Sequence, residues 1–397
     1  MIIHDRLYGE ITLDERELKL LQTPEFARLR QVSLSSVPPW TIPAGACADR
    51  AEHSVGVAHL TRVNVARRPD FRENARDLFC AALAHDIAAP PFSHLAEHFM
   101  QLFVGKSHEQ YAADVLDGSE FAREVRRFGA SLDTVISYVL GTDGPAGELI
   151  SGEVDFDNCD NSARYATSLG LIPSTNLPYS PARLAEGFML RGGRRVLSAA
   201  ALGELAGWAM CRVTAYAFAY SPANLGPNAM LYRAIGLAAR EGRISRTFFR
   251  MRDDEAYSHL ENSAGGARLL AERARRLQTY PLAYSFHTHD ADEELSALVT
   301  EAGTRMSLAD DLADALRVEP EDVAVYAGQN RAFKRVMLPV IDEGDGRELG
   351  TTDDFLPRMQ RTWLVQVYLK RPESSALGLV SEFIDDVLRR HGYAAAA

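Results

Sequence analysis

The sequence has 397 residues, 46% of them hydrophobic, so the chain can bury one large core or two smaller ones. The formal net charge of −11 argues against a general nucleic-acid or anionic-membrane surface, because both need clustered lysine and arginine. No stretch approaches the roughly 18 uncharged apolar residues of a membrane-spanning helix. We therefore expect a cytoplasmic globular protein with no membrane segment and no general nucleic-acid binding.

The first half of the chain is predicted to be mainly helical. Residues 7–13 alternate like a short strand, and the helical pattern that follows breaks near Thr23-Pro24. Residues 35–48 contain several prolines and are predicted to form a loop. The later helical patterns cover residues 53–66, 73–85, 93–103, 109–116 and 195–219.

From about Ile244 the pattern changes. A helical segment at residues 267–277 is followed by β-prone runs at residues 323–326, 336–340 and 363–368. The sequence therefore predicts a mainly α protein, with a helical domain over residues 1–243. A smaller α+β region over residues 244–397 would serve as an accessory or oligomerisation part.

Histidines are concentrated in one short part of the chain. Six of the eleven lie within 56 residues: His53, His59, His85, His94, His98 and His108. Because His85 and Asp86 fall at the end of an apolar helical pattern, their side chains can converge on one cation. Mixed nitrogen and oxygen ligands suit Fe, Mn, Zn or Ni better than metals that prefer thiolates.

Several short motifs accompany this pair in a fixed order. Arg50-Ala51-Glu52-His53 is followed by His85-Asp86-Ile87, Pro91-Phe92-Ser93-His94, His108-Glu109 and Asp155-Phe156-Asp157, while residues 20–30 precede them all. In this order the motifs resemble the HD-domain phosphohydrolases, in the branch of the deoxynucleoside triphosphate triphosphohydrolases. The resemblance covers residues 1–170 well and implies an HD-type helical core.

The resemblance implies a metal centre held by His53, His85, Asp86 and Asp157. One divalent transition metal ion per chain is expected, either Fe, Mn, Zn or Ni, with Mg possible. Such an ion polarises a phosphoryl group and activates a water molecule. The resemblance also implies a nucleotide or phosphate-ester substrate and a homo-oligomer.

Further roles follow from the same resemblance. His94 and His108 would transfer protons and stabilise charge, with Glu109 orienting His108. The predicted substrate contacts are Arg50, Asn158, Asn161 and Arg164. His59 and His98 are expected to be structural.

The chain departs from this family at several positions. Ala89 stands where a histidine is expected, Asn158 and Asn161 replace a lysine and a tyrosine, and residues 220–227 interrupt a helix. Losing these phosphate contacts predicts that ordinary deoxynucleoside triphosphates are poor substrates and that a smaller or modified phosphate ester is preferred. The alternative function is a catalytically weakened nucleotide sensor or regulatory protein.

A competing motif overlaps this region. His94-Leu95-Ala96-Glu97-His98 spells HxxEH, a pattern of zinc peptidases in which both histidines bind the metal. The pattern is short, and the phosphohydrolase interpretation also explains the other histidines. A zinc peptidase is therefore kept as a minor alternative.

Overall fold

The computed structural model describes residues 1–36, 48–290, 293–330, 334–356 and 361–390. Most of the predicted loop at residues 35–48 lies outside these ranges. Within them, no helix is long and apolar enough to cross a membrane.

Helices dominate the described part of the chain up to Arg275. They begin with α1 Glu15–Gln22, α2 Pro24–Ala27, α3 Arg50–Arg67, α4 Ala75–Ala84, α5 His94–Val104, α6 His108–Leu116, α7 Glu120–Phe128 and α8 Leu132–Val139. They continue with α9 Gly144–Gly147, α10 Phe156–Ser168, α11 Pro181–Glu186, α12 Leu202–Ala219, α13 Pro222–Arg240, α14 Asp253–Glu261 and α15 Gly265–Arg275. The predicted break at Thr23-Pro24 separates α1 from α2. The interruption predicted over residues 220–227 is confined to Tyr220 and Ser221, because α13 begins at Pro222 and contains Pro227.

Strands form three small sheets. The first pairs β1 Ile2–Asp5 with β2 Gly9–Thr12, in antiparallel register. The second has the order β3 Phe188–Arg191, β4 Arg194–Ser198, β7 Pro339–Ile341 and β8 Glu348–Thr351. The third has the order β5 Leu282–Thr288, β9 Trp363–Leu369 and β6 Val323–Gln329, with both pairings antiparallel.

One predicted helix is wrong at its start. The pattern over residues 195–219 predicted a single helix, but residues 195–198 belong to β4 and the helix begins at Leu202. Gly192 and Gly193 adopt positive φ angles of 55° and 73°, which join β3 and β4 in a tight hairpin. The glycine pair was the signal for this hairpin, since two consecutive positive φ angles favour glycine.

Two hydrophobic cores occupy different parts of the described chain. The larger core draws its buried side chains mainly from α1–α15, while the smaller one draws them from residues 286–384. In the smaller core the third sheet packs against α16 Glu293–Thr300, α17 Ala302–Leu316 and α18 Ser374–Arg390. The prediction of a mainly α fold with a smaller α+β C-terminal part is therefore confirmed. The predicted boundary after residue 243 falls between α13 and α14, whose buried residues share the larger core.

Candidate metal centre and substrate cavity

His53 lies inside α3, where both of its ring nitrogens meet carboxylates of α10. Its Nδ1 is 2.7 Å from Asp160 Oδ1, and its Nε2 is 2.9 Å from Asp157 Oδ1. Residues three positions apart share a helix face, so Asp157 and Asp160 both turn toward His53. Burial alone would lower the pKa of His53, but the two hydrogen bonds raise it to about 10. The imidazole thus sits in a strongly negative environment.

Asp160 is a residue that the sequence interpretation missed. Its buried carboxylate accepts hydrogen bonds from Arg164 Nε at 2.7 Å and from the Tyr8 hydroxyl at 2.8 Å. Arg164 also pairs with Asp5 at 3.0 Å. A Cβ at Gly56 of α3 would collide with both Asp160 and Arg164, so a glycine is needed for this close approach. The i, i+3 spacing from Asp157 was the available signal.

His85 follows α4, at the end of an apolar helix as predicted. Its Nδ1 donates to the Ala82 carbonyl at 2.8 Å, which leaves Nε2 to face the site. That Nε2 lies 3.3 Å from His53 Nε2 and 3.3 Å from Asp86 Oδ2. Within the described part of the chain, the buried Asp86 Oδ2 has no hydrogen-bond partner.

This arrangement fits a cation. Metal-bound histidines typically donate their second ring N–H to a carboxylate or a backbone carbonyl, as His53 and His85 do here. The candidate ligand atoms of His53, His85 and Asp157 all lie within 4.8 Å of one another. The orphaned Asp86 Oδ2 faces the two converging Nε2 atoms. The four predicted ligands therefore come together, and their nitrogen and oxygen donors suit a divalent transition metal.

Arg50 forms an ion pair with the second carboxylate oxygen of Asp86. Its Nη1 forms a close ion pair with Asp86 Oδ1, and its Nε donates to Ser93 Oγ at 2.9 Å. Burial raises the pKa of Asp86, but the charge of Arg50 is among the causes that hold it well below its usual range. Asp86 is thus ionised, with Oδ1 on the guanidinium and Oδ2 directed at the histidines.

The loop between Asp86 and α5 is held in an unusual conformation. Phe92 and Ser93 have φ angles of 60° and 52°, a region that residues other than glycine rarely adopt. Asp253 fixes this turn by accepting from the Phe92 amide at 2.9 Å. Arg28 donates to the Ala89 carbonyl at 2.6 Å. These contacts set the start of α5 and therefore the position of His94.

A carboxylate of α5 joins the two predicted catalytic histidines. Glu97 Oε2 lies 2.9 Å from His94 Nδ1, and Glu97 Oε1 lies 2.6 Å from His108 Nδ1. Glu109 was predicted to orient His108, but it lies 3.4 Å from Nε2, on the opposite edge of the ring. His108 Nε2 also lies 3.7 Å from Asp86 Oδ1. Glu97, three residues after His94, is thus the group that orients both histidines.

The predicted substrate contacts lie in different places. Arg50 is engaged by Asp86, and Arg164 is buried behind His53. Asn158 Nδ2 donates to Asp155 at 2.6 Å, and its Oδ1 accepts from Arg212 at 3.4 Å. Asn161 lines a cavity. The substrate roles of these four residues stay predictions.

The cavity has a volume of about 270 Å³ and lies beside His94. Its lining brings together α5, α10, α12 and α13 with α17 and β6, so both cores contribute to it. Five tyrosines line its wall: Tyr165, Tyr216, Tyr220, Tyr232 and Tyr326. The rest of the lining includes serine, histidine, asparagine, threonine, arginine and glutamine side chains, so the cavity suits a small polar ligand.

The HxxEH motif does not assemble as a peptidase site would require. The His94 ring lies 6.0 Å from the His108 ring, and the His98 ring lies 6.1 Å from the Tyr232 ring. Glu97 bridges His94 and His108. The geometry gives the peptidase interpretation no support.

Comparisons with known proteins agree with this geometry. The HD domain family matches residues 50–145. The deoxynucleoside triphosphate triphosphohydrolase SAMHD1 of Xenopus laevis is 36% identical over 109 residues, which are 25% of this chain and 17% of that protein. An uncharacterized protein of Methanocaldococcus jannaschii is 30% identical over 175 residues, 43% of this chain and 35% of that protein. The chain therefore covers about a sixth to a third of these two curated relatives.

Solved structures share the whole fold. A hypothetical protein from Aquifex aeolicus superposes with a TM-score of 0.72 at 21% identity, covering 96% of this chain and 99% of that one. A phosphohydrolase from Bacteroides thetaiotaomicron superposes with a TM-score of 0.68 at 17% identity, covering 93% and 99%. Residues 50–145 therefore match the HD domain family, and the two solved structures show the fold that the chain shares with them.

Proposed function

We propose that the protein is a metal-dependent phosphohydrolase that acts on a nucleotide or a related phosphate ester. The observation that carries the proposal is the convergence of His53 Nε2 and His85 Nε2 at 3.3 Å, beside the carboxylates of Asp86 and Asp157. Each imidazole directs its Nδ1 to another acceptor, so the two Nε2 atoms face one point. A cation at that point would lie among His53, His85 and Asp157, with Asp86 Oδ2 facing the same two imidazoles.

His53, His85, Asp86 and Asp157 would hold the ion. When bound there, a divalent ion supplies polarisation of a phosphoryl oxygen and activation of a water molecule. Asp157 has 34% of its side chain exposed, whereas His53 and Asp86 are buried. The open side of the centre is therefore the side of Asp157, where a phosphate ester can approach.

The pair of histidines bridged by Glu97 is suited to proton transfer. The pKa of Glu97 is lowered, because hydrogen bonds and charges of His94 and His108 outweigh the effect of its burial. An ionised Glu97 accepts from Nδ1 of both rings and so fixes their orientation. His94, which lines the cavity, is the ring placed to protonate a leaving group.

The substrate is expected to differ from ordinary deoxynucleoside triphosphates. Arg50 and Arg164 are committed to carboxylates, and Asn158 to Asp155 and Arg212. Other arginines that could substitute are engaged away from the cavity: Arg183 with Glu204, Arg194 with Glu348, and Arg195 with Glu148. Each lost charge-assisted contact costs about 1.5–3 kcal/mol, so the loss of several lowers the rate by orders of magnitude.

A phosphate-release screen on metal-loaded protein tests the proposal. It should span deoxynucleoside triphosphates, ribonucleoside triphosphates, monophosphates, and cyclic or modified nucleotides, with His85→Ala as the control. We expect release from at least one ester, abolished by the substitution, and weak activity on the four deoxynucleoside triphosphates. Tight nucleotide binding without any turnover would instead support the sensor function.

A further inference from the structure

Arg305 places a guanidinium in the wall of the tyrosine-lined cavity. It belongs to α17, in the smaller C-terminal part, and only 4% of the residue is exposed. Its Nη2 donates to the Val299 carbonyl at 2.8 Å, and its guanidinium lies 4.2 Å from the centre of the Tyr232 ring. Its Nε is buried and has no hydrogen-bond partner among the described residues.

A buried arginine normally has a carboxylate partner, because an uncompensated charge is costly to desolvate. Among the described residues, four of the five other buried arginines follow this rule, namely Arg50, Arg164, Arg195 and Arg233, while Arg212 donates to Asn158 and packs on Trp208 and Tyr216. Within the ranges that the structure covers, Arg305 forms no ion pair and the cavity lining contains no aspartate or glutamate. The positive charge of Arg305 is therefore available to pair with an anion that enters the cavity.

Two further polar atoms of the same wall lack partners. The Tyr232 hydroxyl and Asn224 Oδ1 are both buried, and neither has a hydrogen-bond partner in the part of the chain that the structure describes. Buried polar groups are almost always satisfied in folded proteins, so several orphans around one cavity point to a missing ligand. A cation, a hydroxyl donor and an amide oxygen match an anionic group with a neighbouring N–H or O–H donor.

We propose that Arg305 and Tyr232 form an anion subsite, which binds a second acidic group of the substrate. This group, a phosphate or a carboxylate, is distinct from the phosphoryl group that is attacked at the metal centre. The inference rests on the proposed function, because His94 lines the same cavity and connects it to Glu97 and His108. It assigns the substrate to phosphate esters with two separated anionic groups.

Binding of inorganic pyrophosphate tests the subsite without turnover. Titration calorimetry would compare the full-length wild type with Arg305→Gln and Tyr232→Phe, both metal-loaded and chelator-treated. We expect Arg305→Gln to weaken binding roughly 10- to 100-fold in both states, the range for one charge-assisted contact. Arg317→Gln, an exposed arginine beside α17, is the matched control and should bind like the wild type. Equal affinity in wild type and Arg305→Gln would overturn the subsite.

Steady-state kinetics then show which position of the substrate carries the second acidic group. The metal-loaded enzyme would be assayed on a nucleoside 5′-monophosphate, its 5′-diphosphate and its 3′,5′-bisphosphate. We expect one of the two doubly phosphorylated esters to exceed the monophosphate at least tenfold in kcat/KM. Arg305→Gln should abolish that preference through KM, whereas Arg317→Gln should retain it. An equal loss on all three esters would overturn the proposal, because it would assign Arg305 a structural role.

Tyr232→Phe keeps the shape of the wall and should retain the fold even if Arg305→Gln does not. It should weaken pyrophosphate binding severalfold, and unchanged binding would count against the subsite. If the proposed function is wrong, the pattern differs: no ester is hydrolysed, while the affinity for pyrophosphate still depends on Arg305. The two failures are therefore distinguishable.

Discussion

The supports behind the metal ligands and the polar groups of the neighbouring cavity differ in whether the protein itself supplies their partners. At the metal centre, His53 is held by Asp160, Asp160 by Arg164, and Arg164 by Asp5. In the cavity, Arg305 Nε and the Tyr232 hydroxyl are buried with no hydrogen-bond partner among the described residues. The first region has its geometry fixed by the protein itself, whereas the second is completed by what binds.

This difference matches the demands of the two regions. Metal ligands must keep a defined geometry, and the groups behind them supply it. A substrate subsite must release its ligand, so groups left unsatisfied in the free protein gain partners only on binding. Such groups lower the stability of the free protein, which is a common feature of functional sites. Substitutions should therefore act oppositely on stability in the two regions.

The largest effect should follow the loss of a metal ligand. Purified protein should carry about one transition metal ion per chain, and His85→Ala or Asp86→Ala should remove most of it, since a four-ligand site loses one donor. Elemental analysis of the purified variants measures this. Full metal occupancy in both variants would refute the ligand assignment.

His98→Ala is the matched control for this result. It also distinguishes the metal centre of His53 and His85 from the HxxEH motif. His98 contacts Tyr232 and stands apart from the candidate ligands, so its removal should leave the metal content nearly intact. His53→Ala, by contrast, should lose most of its metal. The reverse pattern would favour the HxxEH peptidase interpretation.

A smaller loss of metal affinity should follow the substitution of a residue that supports a metal ligand. Asp160→Asn keeps the size of the side chain but weakens the hold on His53 Nδ1, and such partners typically account for 10- to 100-fold in metal affinity. Competition with a chelator measures that affinity, and circular dichroism verifies the fold. Asp311→Asn, an exposed acid on α17, should have no effect. An unchanged affinity in Asp160→Asn would mean that His53 needs no such support.

Close packing behind His53 gives a further test. Gly56→Ala would force a methyl group into Asp160 and Arg164, so the free energy of unfolding should fall by about 1–3 kcal/mol. Gly203→Ala, on α12 with open space around the added methyl, should be neutral or stabilising. Denaturant titration compares the two. Similar stability of the two variants would contradict the described packing of α3 against α10.

The smallest effect contrasts two buried tyrosines. Tyr179 donates its hydroxyl to the Cys159 carbonyl at 2.7 Å, so Tyr179→Phe should lower the free energy of unfolding by about 0.5–1.5 kcal/mol. The Tyr232 hydroxyl has no described partner, so Tyr232→Phe should leave stability unchanged or raise it slightly. Thermal unfolding of the ligand-free proteins measures both. A clear loss in Tyr232→Phe would mean that this hydroxyl already stabilises the fold.

The sequence predicted the ligands of the metal centre better than their supports. His85-Asp86 at a helix end and the clustered histidines are local patterns, and the structure brings His53, His85, Asp86 and Asp157 together. Asp160 and Glu97 were also within reach, since each lies three residues from a predicted site residue on the same helix. Neither was predicted as part of the phosphohydrolase site, because spacing alone does not show which helix face is buried.

Other parts had no local signal. Arg305 lies far along the chain from His94, and only the packing of α17 against the helical core brings it to the cavity. Asp253 likewise reaches Phe92 across 161 positions of sequence. Such contacts depend on tertiary structure, which periodicity and spacing do not encode. The hairpin of β3 and β4 was missed for a different reason, because its strands are short and precede a long helix.

The central claim is that one cation binds where the two imidazoles converge. A crystal structure of the metal-loaded protein, with anomalous data collected at the absorption edge of the bound element, tests it most directly. We expect one strong anomalous peak per chain, within bonding distance of His53 Nε2 and His85 Nε2 and with Asp86 and Asp157 completing the ligands. A peak bound by His94 and His98, or no peak between the imidazoles of His53 and His85 in fully active protein, would contradict it.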